Sequence, residues 1–323
     1  MGRVSKLMQF GLAALSQFRF GYSKSFVASW DNRPSGEVVI GHERSILDLP
    51  ASYVRLAKLS DGSVLAGFTT REDGVKVLKV SRSTDGGQRF SPFGEIARGD
   101  WDIGNIYLLE VAPAVVLGAF RNHTSVGPNI RHSRITVCKS IDSGKNWVFA
   151  SQAFEMEGSL GAWEPFMRLA ENTNEIQLTY SQEFAANDQR TMLVRDGMNG
   201  IARTRDGDQD ALVLIFETTD NPPFFNVKAT ISYDGASWGH RQDVQVVPRG
   251  KNAGAPQIAS FADESIKATF SGPPMGRKMC WSPPQLVKEA NAFWPGSLRL
   301  EDNMVMATYD AGGPRAKPIR LNF

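Results

Sequence analysis

Cysteine is scarce in this chain, since 323 residues contain only Cys138 and Cys280. Two thiols so far apart in sequence form neither a metal-ligand spacing nor a disulfide framework. Both lie in segments that the sequence pattern assigns to different strands, so we predict two buried thiols. No phosphate-binding glycine loop or nucleotide fingerprint is present either, because the glycines fall in hairpin turns. The sequence therefore implies no metal and no cofactor.

Excess charge and long apolar runs are also missing. The 36 basic and 34 acidic residues give a formal charge of +2, which provides no argument for a nucleic acid or an anionic membrane as a partner. An N-terminal apolar stretch, Leu7 to Leu15, is too short to span a bilayer, so we expect a soluble protein. Residues 1–36 are interpreted as a signal peptide or a loosely ordered segment, which predicts secretion if the signal operates and a cytoplasmic protein otherwise. Nothing in the sequence indicates the oligomeric state.

What the sequence does contain is repetition. An apolar strand, a polar turn and a second apolar strand recur six times, and polar or charged residues follow each second strand. Radial repetition of one hairpin unit is how a β-propeller is built. The predicted fold class is therefore all-β, a six-bladed β-propeller forming a single domain over 37–323. The strand pairs are Tyr53 to Phe68, Asn105 to Phe120, Pro165 to Tyr180, Gly200 to Phe216, Pro256 to Phe270 and Gly296 to Tyr309.

The same repetition predicts where a site would lie. In an antiparallel pair, the start of the first strand and the end of the second lie at the same end of the sheet, so every blade delivers polar groups to one face. The opposite ends carry ordinary turn sequences, such as Asp61-Gly62 and Asp206-Gly207. The polar clusters of the predicted functional face are Trp101-Asp102, Arg121-Asn122-His123, Trp163-Glu164, Ser181-Gln182-Glu183, Arg195-Asp196, Glu217, Asn252 and Tyr309-Asp310.

A finer repeat marks some of the hairpin turns. Ser83 to Phe90 and Ser140 to Trp147 fit the pattern Ser-x-Asp-x-Gly-x-x-aromatic, the Asp-box, and Ser232 to Trp238 is a version one residue shorter. In such a turn the Ser and Asp side chains accept hydrogen bonds from turn amides, and the aromatic ring packs back onto the blade. By strand order these turns join third and fourth strands, on the face opposite the polar clusters. We interpret them as structural.

The spacing of the repeats also predicts blade lengths and ring closure. The third and fifth blades are abbreviated, since only 35 residues separate Pro165 from Gly200. Glu37 to Ile46 has strand character and precedes the first pair, while Ala316 to Phe323 follows the last. We predict that these terminal strands share one sheet, because such a latch removes an open sheet edge.

Taken together, these motifs resemble those of the sialidase-like Asp-box propellers, and among them the fungal branch near the exo-arabinanase glycoside hydrolases. The resemblance covers roughly residues 37–323. For the hydrolase members it implies retaining cleavage by two glutamates, to which Glu164 and Glu217 correspond by position in the motifs. Besides the two full Asp-boxes, the matching blocks are Phe120-Arg121-Asn122-His123, Trp163-Glu164-Pro165-Phe166, Tyr180-Ser181-Gln182-Glu183, Arg195-Asp196-Gly197-Met198 and Asn252-Ala253-Gly254-Ala255-Pro256-Gln257.

The chemistry of two glutamates fits this resemblance. Retaining hydrolysis needs two carboxyls about 5 to 5.5 Å apart, one acting as nucleophile and the other as general acid and then base. Glu164 is predicted to open the innermost strand of the third blade and Glu217 to end the second strand of the fourth, so that both face the cavity. Flanking Trp163 and Phe166 would form an apolar wall that raises the pKa of a carboxyl. The sequence does not decide which glutamate has which role. Two alternatives to catalysis also stay open: a Glu164 carboxylate bonded to the backbone of a neighbouring blade, and a Glu217 surface charge at a strand end.

Further residues are candidates for binding substrate. Arg121 suits an anion or a polyol because a guanidinium presents a rigid fork of donors, although a salt bridge between blades is an equal alternative. Glu183 suits sugar hydroxyls, or it is a solvated loop charge. The candidate substrate-binding residues are Trp101, Asp102, Arg121, His123, Trp163, Tyr180, Glu183, Asp196, Phe225, Met275, Trp281 and Trp294.

Departures from the family pattern keep other functions open. Thr124 stands where the family commonly has an acid, and Ser271 to Trp281 is apolar and rich in proline. Arg55 lies where sialidases place an arginine, but its surroundings match poorly, which disfavours sialidase action. The favoured interpretation is an exo-arabinanase-like retaining glycoside hydrolase acting on a polysaccharide or oligosaccharide. One alternative is a non-hydrolytic enzyme of a fungal natural-product pathway that aligns small hydrophobic substrates, such as a hetero-Diels-Alderase. A carbohydrate-binding propeller is the third.

Overall fold

The structure, a computed structural model, describes residues 36–47, 49–127, 129–170, 173, 175–183, 196–206, 208–221, 224–248, 250–263, 265–271, 284–289 and 291–322. Within these ranges the chain forms β-strands and turns, and it contains no helix long and apolar enough to cross a membrane. The predicted N-terminal segment, apart from its last residue, lies outside the described residues.

Twenty-one strands account for most of the described chain. In chain order they are β1 (Glu37–Ile40), β2 (Arg44–Ser45), β3 (Ser52–Lys58), β4 (Val64–Glu72), β5 (Val75–Ser83), β6 (Ser91–Gly99), β7 (Asp102–Ala112), β8 (Val115–Val126), β9 (Asn129–Ser140), β10 (Val148–Glu157), β11 (Ala162–Leu169), β12 (Ile176–Gln182), β13 (Asp196–Asp206), β14 (Gln209–Asn221), β15 (Phe224–Ser232), β16 (Gly239–Gln245), β17 (Gly254–Ser260), β18 (Ile266–Ser271), β19 (Phe293–Glu301), β20 (Met304–Asp310) and β21 (Pro314–Asn322).

These strands form six antiparallel sheets in the described ranges. Three sheets have four strands in sequence order, β3 to β6, β7 to β10 and β13 to β16, and a fourth runs β19-β20-β21-β1 with β2 also paired to β21. The other two sheets, β11-β12 and β17-β18, have two described strands each. Each strand pair predicted from the sequence forms the first two strands of one sheet. In the two sheets expected to be short, the residues that follow the second strand, 184–195 and 272–283, lie outside the described residues, so their length stays a prediction.

The innermost strands of the six sheets contact one another in a closed cycle, β3, β7, β11, β13, β17, β19 and back to β3. The apolar core lies between the faces of neighbouring sheets rather than in one central mass. Between the first two sheets, for example, Leu65, Ile106 and Phe120 belong to one buried cluster. A fully buried side chain of this size contributes about 1.5 to 3 kcal/mol, so these interfaces hold the ring together.

The ring is closed by strands from both ends of the chain. β1 lies antiparallel to β21, in a register that runs from Glu37 opposite Asn322 to Ile40 opposite Ile319. The prediction that the terminal strands share one sheet is confirmed. Because β1 covers the hydrogen-bonding edge of β21, the sheet that closes the ring is tied together by residues from the two ends of the described chain.

Three turns between third and fourth strands show the hydrogen bonds expected of their sequences. In the turn after β9, Ser140 Oγ accepts from the amide of Gly144 at 2.9 Å, and Asp142 Oδ1 accepts from the amide of Asn146 at 2.9 Å. The turns after β5 and β15 have the same arrangement of Ser and Asp acceptors. The amide of Asn146 and the Ser140 hydroxyl lower the pKa of Asp142 to about 2.

One of the two predicted thiols can be placed. Cys138 lies in β9, where it is buried in the cluster between the first two sheets. Burial raises the pKa of its thiol to about 11, so the group is inert at neutral pH. Cys280 lies outside the described residues.

Candidate active site

The innermost strand of every sheet is interrupted by a bulge near its start. At each bulge one residue other than glycine has a positive φ, between 50° and 59°. That conformation is sparsely populated because the Cβ atom crowds the backbone, and a bulge redirects the side chains around it. The six residues are Tyr53, Asn105, Glu164, Met198, Ala255 and Trp294. Their equivalent positions place six strained residues around one end of the ring.

Glu164 is one of these bulge residues, in β11, and its side chain is 9% exposed. Its Oε2 atom accepts a hydrogen bond of 3.3 Å from the amide of Met198, the bulge residue of the next sheet. The carboxylate is therefore fixed at the junction between two sheets, pointing from one innermost strand toward the other.

Glu217 reaches a similar junction from a second strand. It was predicted to end that strand, which is wrong, because β14 continues to Asn221 in a hairpin with β15. Glu217 is 8% exposed, and its Oε2 accepts a 2.8 Å hydrogen bond from the amide of Ala255. A Cβ atom at Gly254 would lie 2.6 Å from this oxygen, so only glycine there permits the contact.

The two glutamates converge on one point. A Cβ atom built on Gly197 would lie 3.6 Å from Glu217 Oε1 and 3.9 Å from Glu164 Oε2. Each carboxylate is thus within 4 Å of the same position, and the two oxygens are separated by less than twice that distance. Hydrolysis of glycosides by two carboxyls uses separations of about 5 to 9.5 Å, with which this bound is compatible. Ser181 Oγ lies 3.7 Å from the same point and is buried, with no hydrogen-bond partner in the described part of the chain.

Trp163 lies next to Glu164 and is held from three sides. Its Nε1 donates to Glu183 Oε1 at 3.1 Å, while Glu183 Oε2 accepts from the amide of Gly161 at 2.9 Å. The Arg121 guanidinium lies 5.0 Å from the indole centroid, and the His123 ring meets it edge-on at 4.6 Å. These contacts fix the orientation of the indole beside the carboxylate.

Arg121, Asp102 and His123 therefore form a support for Trp163 rather than a set of free ligand contacts. Arg121 donates to Asn105 Oδ1 at 2.6 Å and to Asp102 Oδ1 at 3.0 Å, within its own sheet and not between blades. His123 is 0% exposed, with Nε2 2.7 Å from the carbonyl of Ala162. Burial lowers its pKa. The structure thus packs His123 against Trp163, and its predicted contact with substrate stays a prediction.

Other candidates are also used by the fold. Tyr180 is buried in an apolar cluster between sheets, with its ring 5.0 Å from that of Phe154, so it packs within the fold, and its predicted contact with substrate stays a prediction. Both carboxylate oxygens of Asp196 accept from Arg241, at 2.8 and 3.1 Å, which leaves this residue occupied within its own sheet. Lys76 likewise pairs with Asp102.

The remaining candidates are aromatic or lie elsewhere. Trp101 and Trp294 are each 43% exposed, at the starts of β7 and β19. Phe225 is partly buried in β15, where its amide donates to Asn252 Oδ1 at 2.8 Å. Exposed rings at the site end remain candidates for stacking on sugar. Met275 and Trp281 lie outside the described residues.

Three further residues lie at this end of the ring, and none of them is among the candidate site residues, although Asp310 was predicted to lie on the functional face. Tyr53 packs with Met198 and Ala255 in a buried cluster formed by three bulge residues. The Arg55 guanidinium carbon lies 3.9 Å from the centroid of the Tyr53 ring, and Asp310 Oδ2 accepts a 3.0 Å hydrogen bond from the amide of Tyr53. Burial raises the pKa of Asp310 to about 6, against the lowering effects of that amide and of Arg55. The sequence signal that identifies Tyr53 is its position, because Tyr53 and Glu164 each stand two residues before the point where regular pairing of an innermost strand resumes.

In the described ranges, no group of three or more His, Cys, Asp or Glu side chains is arranged to hold a metal ion. What the arrangement offers chemically is paired carboxylates at sheet junctions, main-chain amides that fix them, and aromatic rings beside them.

Comparison with known proteins shows the fold. The chain matches no family model, and no curated protein matches its sequence. Among solved structures it is similar to the α-L-arabinofuranosidase of Fusarium graminearum in complex with arabinobiose, with a TM-score of 0.65 and 17% identity over 87% of this chain and 98% of that one. It is also similar to an α-L-arabinanase of Penicillium chrysogenum complexed with arabinobiose, with a TM-score of 0.60 and 14% identity over 89% of this chain and 99% of that one. A mutant of the NanB sialidase of Streptococcus pneumoniae has a TM-score of 0.51 and 10% identity over 84% of this chain and 68% of that one. The chain is an all-β propeller.

Proposed function

We propose that this protein is a retaining glycoside hydrolase, similar to exo-arabinanases, that cleaves an oligosaccharide or polysaccharide at the Glu164–Glu217 junction. The observation that carries the proposal is the convergence of two nearly buried carboxylates within 4 Å of one point, each fixed by a main-chain amide of the next sheet. Such fixed groups need little reorganisation during a reaction. The similarity in fold to an α-L-arabinofuranosidase and an α-L-arabinanase, each in complex with arabinobiose, supports the same choice of substrate.

The proposal includes the finer description of the fold. The six sheets are six blades, which the closed cycle of innermost strands and the six equivalent bulge residues support. The three Ser-Asp turns are Asp-boxes of a sialidase-like propeller, which their hydrogen bonds support. The roles of the two glutamates as nucleophile and acid/base follow from this family assignment, in either order.

In the reaction, one glutamate attacks the anomeric carbon as a carboxylate and forms a covalent bond to the sugar, while the other, as a carboxylic acid, gives its proton to the departing oxygen. The second glutamate, now a carboxylate, then takes a proton from the water that breaks the covalent bond and releases the sugar. Neither carboxylate needs to move far, because the bulge amides of Met198 and Ala255 hold one oxygen of each. Trp163, the residue before Glu164, is held in place by Glu183 and Arg121.

The test is turnover of arabinan and of an aryl arabinofuranoside by Glu164→Gln and Glu217→Gln. Each variant keeps an oxygen for its amide donor and loses the carboxylate chemistry, so reducing-sugar release should fall below detection while the thermal midpoint changes little. Glu157→Gln, an exposed glutamate at the end of β10, is the matched control and should retain activity. Residual turnover by either site variant would remove that residue from the mechanism.

The apolar segment that favoured a pathway enzyme, 272–281, lies outside the described residues. A panel of ligands read by thermal midpoint separates the two functions, because a ligand that binds the folded state raises that midpoint. Stabilisation by arabinobiose supports the hydrolase. Stabilisation only by hydrophobic ligands, with no glycoside turned over, would replace it with the alternative.

A further inference from the structure

Asp310 occupies the same place in its sheet that Glu217 occupies in its own. Glu217 of β14 lies opposite Gly197, directly before the bulge of β13. Asp310 of β20 lies opposite Phe293, directly before the bulge of β19. The repeat therefore presents a carboxylate at the equivalent rim position of two different sheets.

The two carboxylates are also held in the same way. Glu217 Oε2 accepts from the amide of Ala255 at 2.8 Å, and Asp310 Oδ2 accepts from the amide of Tyr53 at 3.0 Å. In both cases the donor is the bulge residue of the following sheet. Glu164 completes the set, with Met198 as its donor.

The three donor residues pack against one another. Tyr53, Met198 and Ala255 form one buried cluster, although they belong to three different innermost strands. Asp310 and the two glutamates are therefore bonded to the backbone of a single apolar cluster, and all three carboxylates surround the same end of the ring.

Asp310 differs from a structural carboxylate in one respect. Its Oδ1 atom is buried and has no hydrogen-bond partner among the described residues. Arg55 is 4% exposed, and its Nη2 atom is also buried without a partner, while Nη1 donates to the carbonyl of Val54 at 3.0 Å. No ion pair joins the two groups within the described ranges, so an unsatisfied acceptor and an unsatisfied donor remain at one sheet junction. Leaving such groups unpaired is unfavourable, and a ligand carrying hydroxyls would satisfy both.

We propose that Asp310 and Arg55 form a hydroxyl-binding subsite of the same cavity, specific for a neutral sugar, with Asp310 accepting from one hydroxyl and Arg55 donating to another. This inference rests on the proposed function. A neutral sugar is favoured because the three carboxylates around the cluster outnumber the two guanidinium groups near Tyr53, those of Arg55 and Arg121, so an acidic sugar would be repelled. Trp294 provides an apolar wall, since its ring lies 6.1 Å from that of Tyr53. A half-buried carboxyl whose pKa is raised to about 6 is in keeping with a group that lacks its hydrogen-bond partner.

The experiment measures arabinobiose binding by titration calorimetry in a Glu217→Gln parent, which prevents turnover. Asp310→Ala in that parent should weaken binding about ten- to hundredfold, as expected for loss of a hydrogen bond to a charged group. Asp310→Asn keeps an oxygen for the Tyr53 amide and should weaken binding less, which guards against a folding artefact. Asp302→Asn, an exposed aspartate at the turn between β19 and β20, is the matched control and should bind as the parent does.

The outcomes separate the two proposals. If both Asp310 variants bind arabinobiose as tightly as the parent, the subsite is refuted and the hydrolase assignment stands. If the parent itself binds no arabinobiose, the proposed function fails and the subsite fails with it.

Discussion

Asp310→Asn should stabilise the protein at neutral pH and leave its stability unchanged in acid. Burial raises the pKa of Asp310 from an ordinary value of 3.8 to about 6, so the folded state binds this proton more tightly than the unfolded state does. For a group shifted in that direction, the stabilisation is fully present below about pH 4 and is lost as the pH rises through about 6. Asparagine resembles the protonated acid at every pH, with an oxygen for the Tyr53 amide and a donor on the other side.

The magnitude follows from the shift. Without screening, a change of this size corresponds to about 3 kcal/mol in the free energy of unfolding. Because Asp310 is only half-buried, solvent reduces this figure, and we expect about 1 to 2 kcal/mol. Urea unfolding of both proteins at about pH 4 and about pH 7.5 gives the comparison, read as the difference between variant and wild type at each pH.

The result that would refute this reasoning is equally specific. A stability difference that is the same at both pH values would show that Asp310 carries no shifted pKa. A variant less stable than wild type at about pH 7.5 would show that the charged carboxylate is favoured in the fold, and that its Oδ1 atom has a partner.

Three further predictions concern positions elsewhere in the ring. Gly254→Ala should displace the Glu217 carboxylate from the Ala255 amide and reduce kcat with little loss of stability. The control Gly239→Ala, where a Cβ meets nothing within 4 Å, should leave kcat unchanged. Equal activities of the two variants would contradict the close approach of Gly254 to Glu217. Phe216→Ala, in a fully buried position, should cost about 3 to 5 kcal/mol of unfolding free energy in urea titrations, and a loss below 1 kcal/mol would refute its place in the core. Asp142→Ala removes an acceptor for turn amides and should lower the free energy of unfolding by about 1 kcal/mol at neutral pH. Urea titrations should show this difference vanishing as the pH falls toward 2, because the pKa of Asp142 is lowered to about 2 in the folded state.

The strand pairs and the turns could be predicted because they are local. A hairpin joins residues a few positions apart, and its alternation of apolar residues and its turn sequence are visible in one short window. The Ser140–Asp142 turn is of this kind, since the hydrogen bonds that these two side chains accept from its amides span at most four residues. The pairing of β1, which contains Glu37, with β21, which contains Asn322, could be predicted for another reason: without it, the last sheet would expose an edge of unpaired backbone groups.

The site was less accessible because its contacts join distant parts of the chain. Tyr53 and Asp310 are 257 positions apart, and only closure of the ring brings them together. The sequence around Asp196 gives no sign of a partner, but β16 places Arg241, 45 residues further along the chain, within hydrogen-bonding distance of it. His123 is polar at a predicted strand end, but β8 continues past it and buries the ring against the carbonyl of Ala162. Polarity in a sequence therefore marks one end of the sheets, but it does not show which of the polar groups there are bound within the fold.

The register of the first two strands gives every sheet one side chain at the same rim position, immediately opposite the residue that precedes the bulge. In five sheets these side chains differ in chemistry: Thr69, Arg121, Ser181, Glu217 and Asp310. Because each one belongs to a separately folded hairpin, a change at one rim position leaves the backbone of the others in place. New ligand preferences can thus evolve, or be engineered, by exchanging single residues sheet by sheet on an unaltered scaffold.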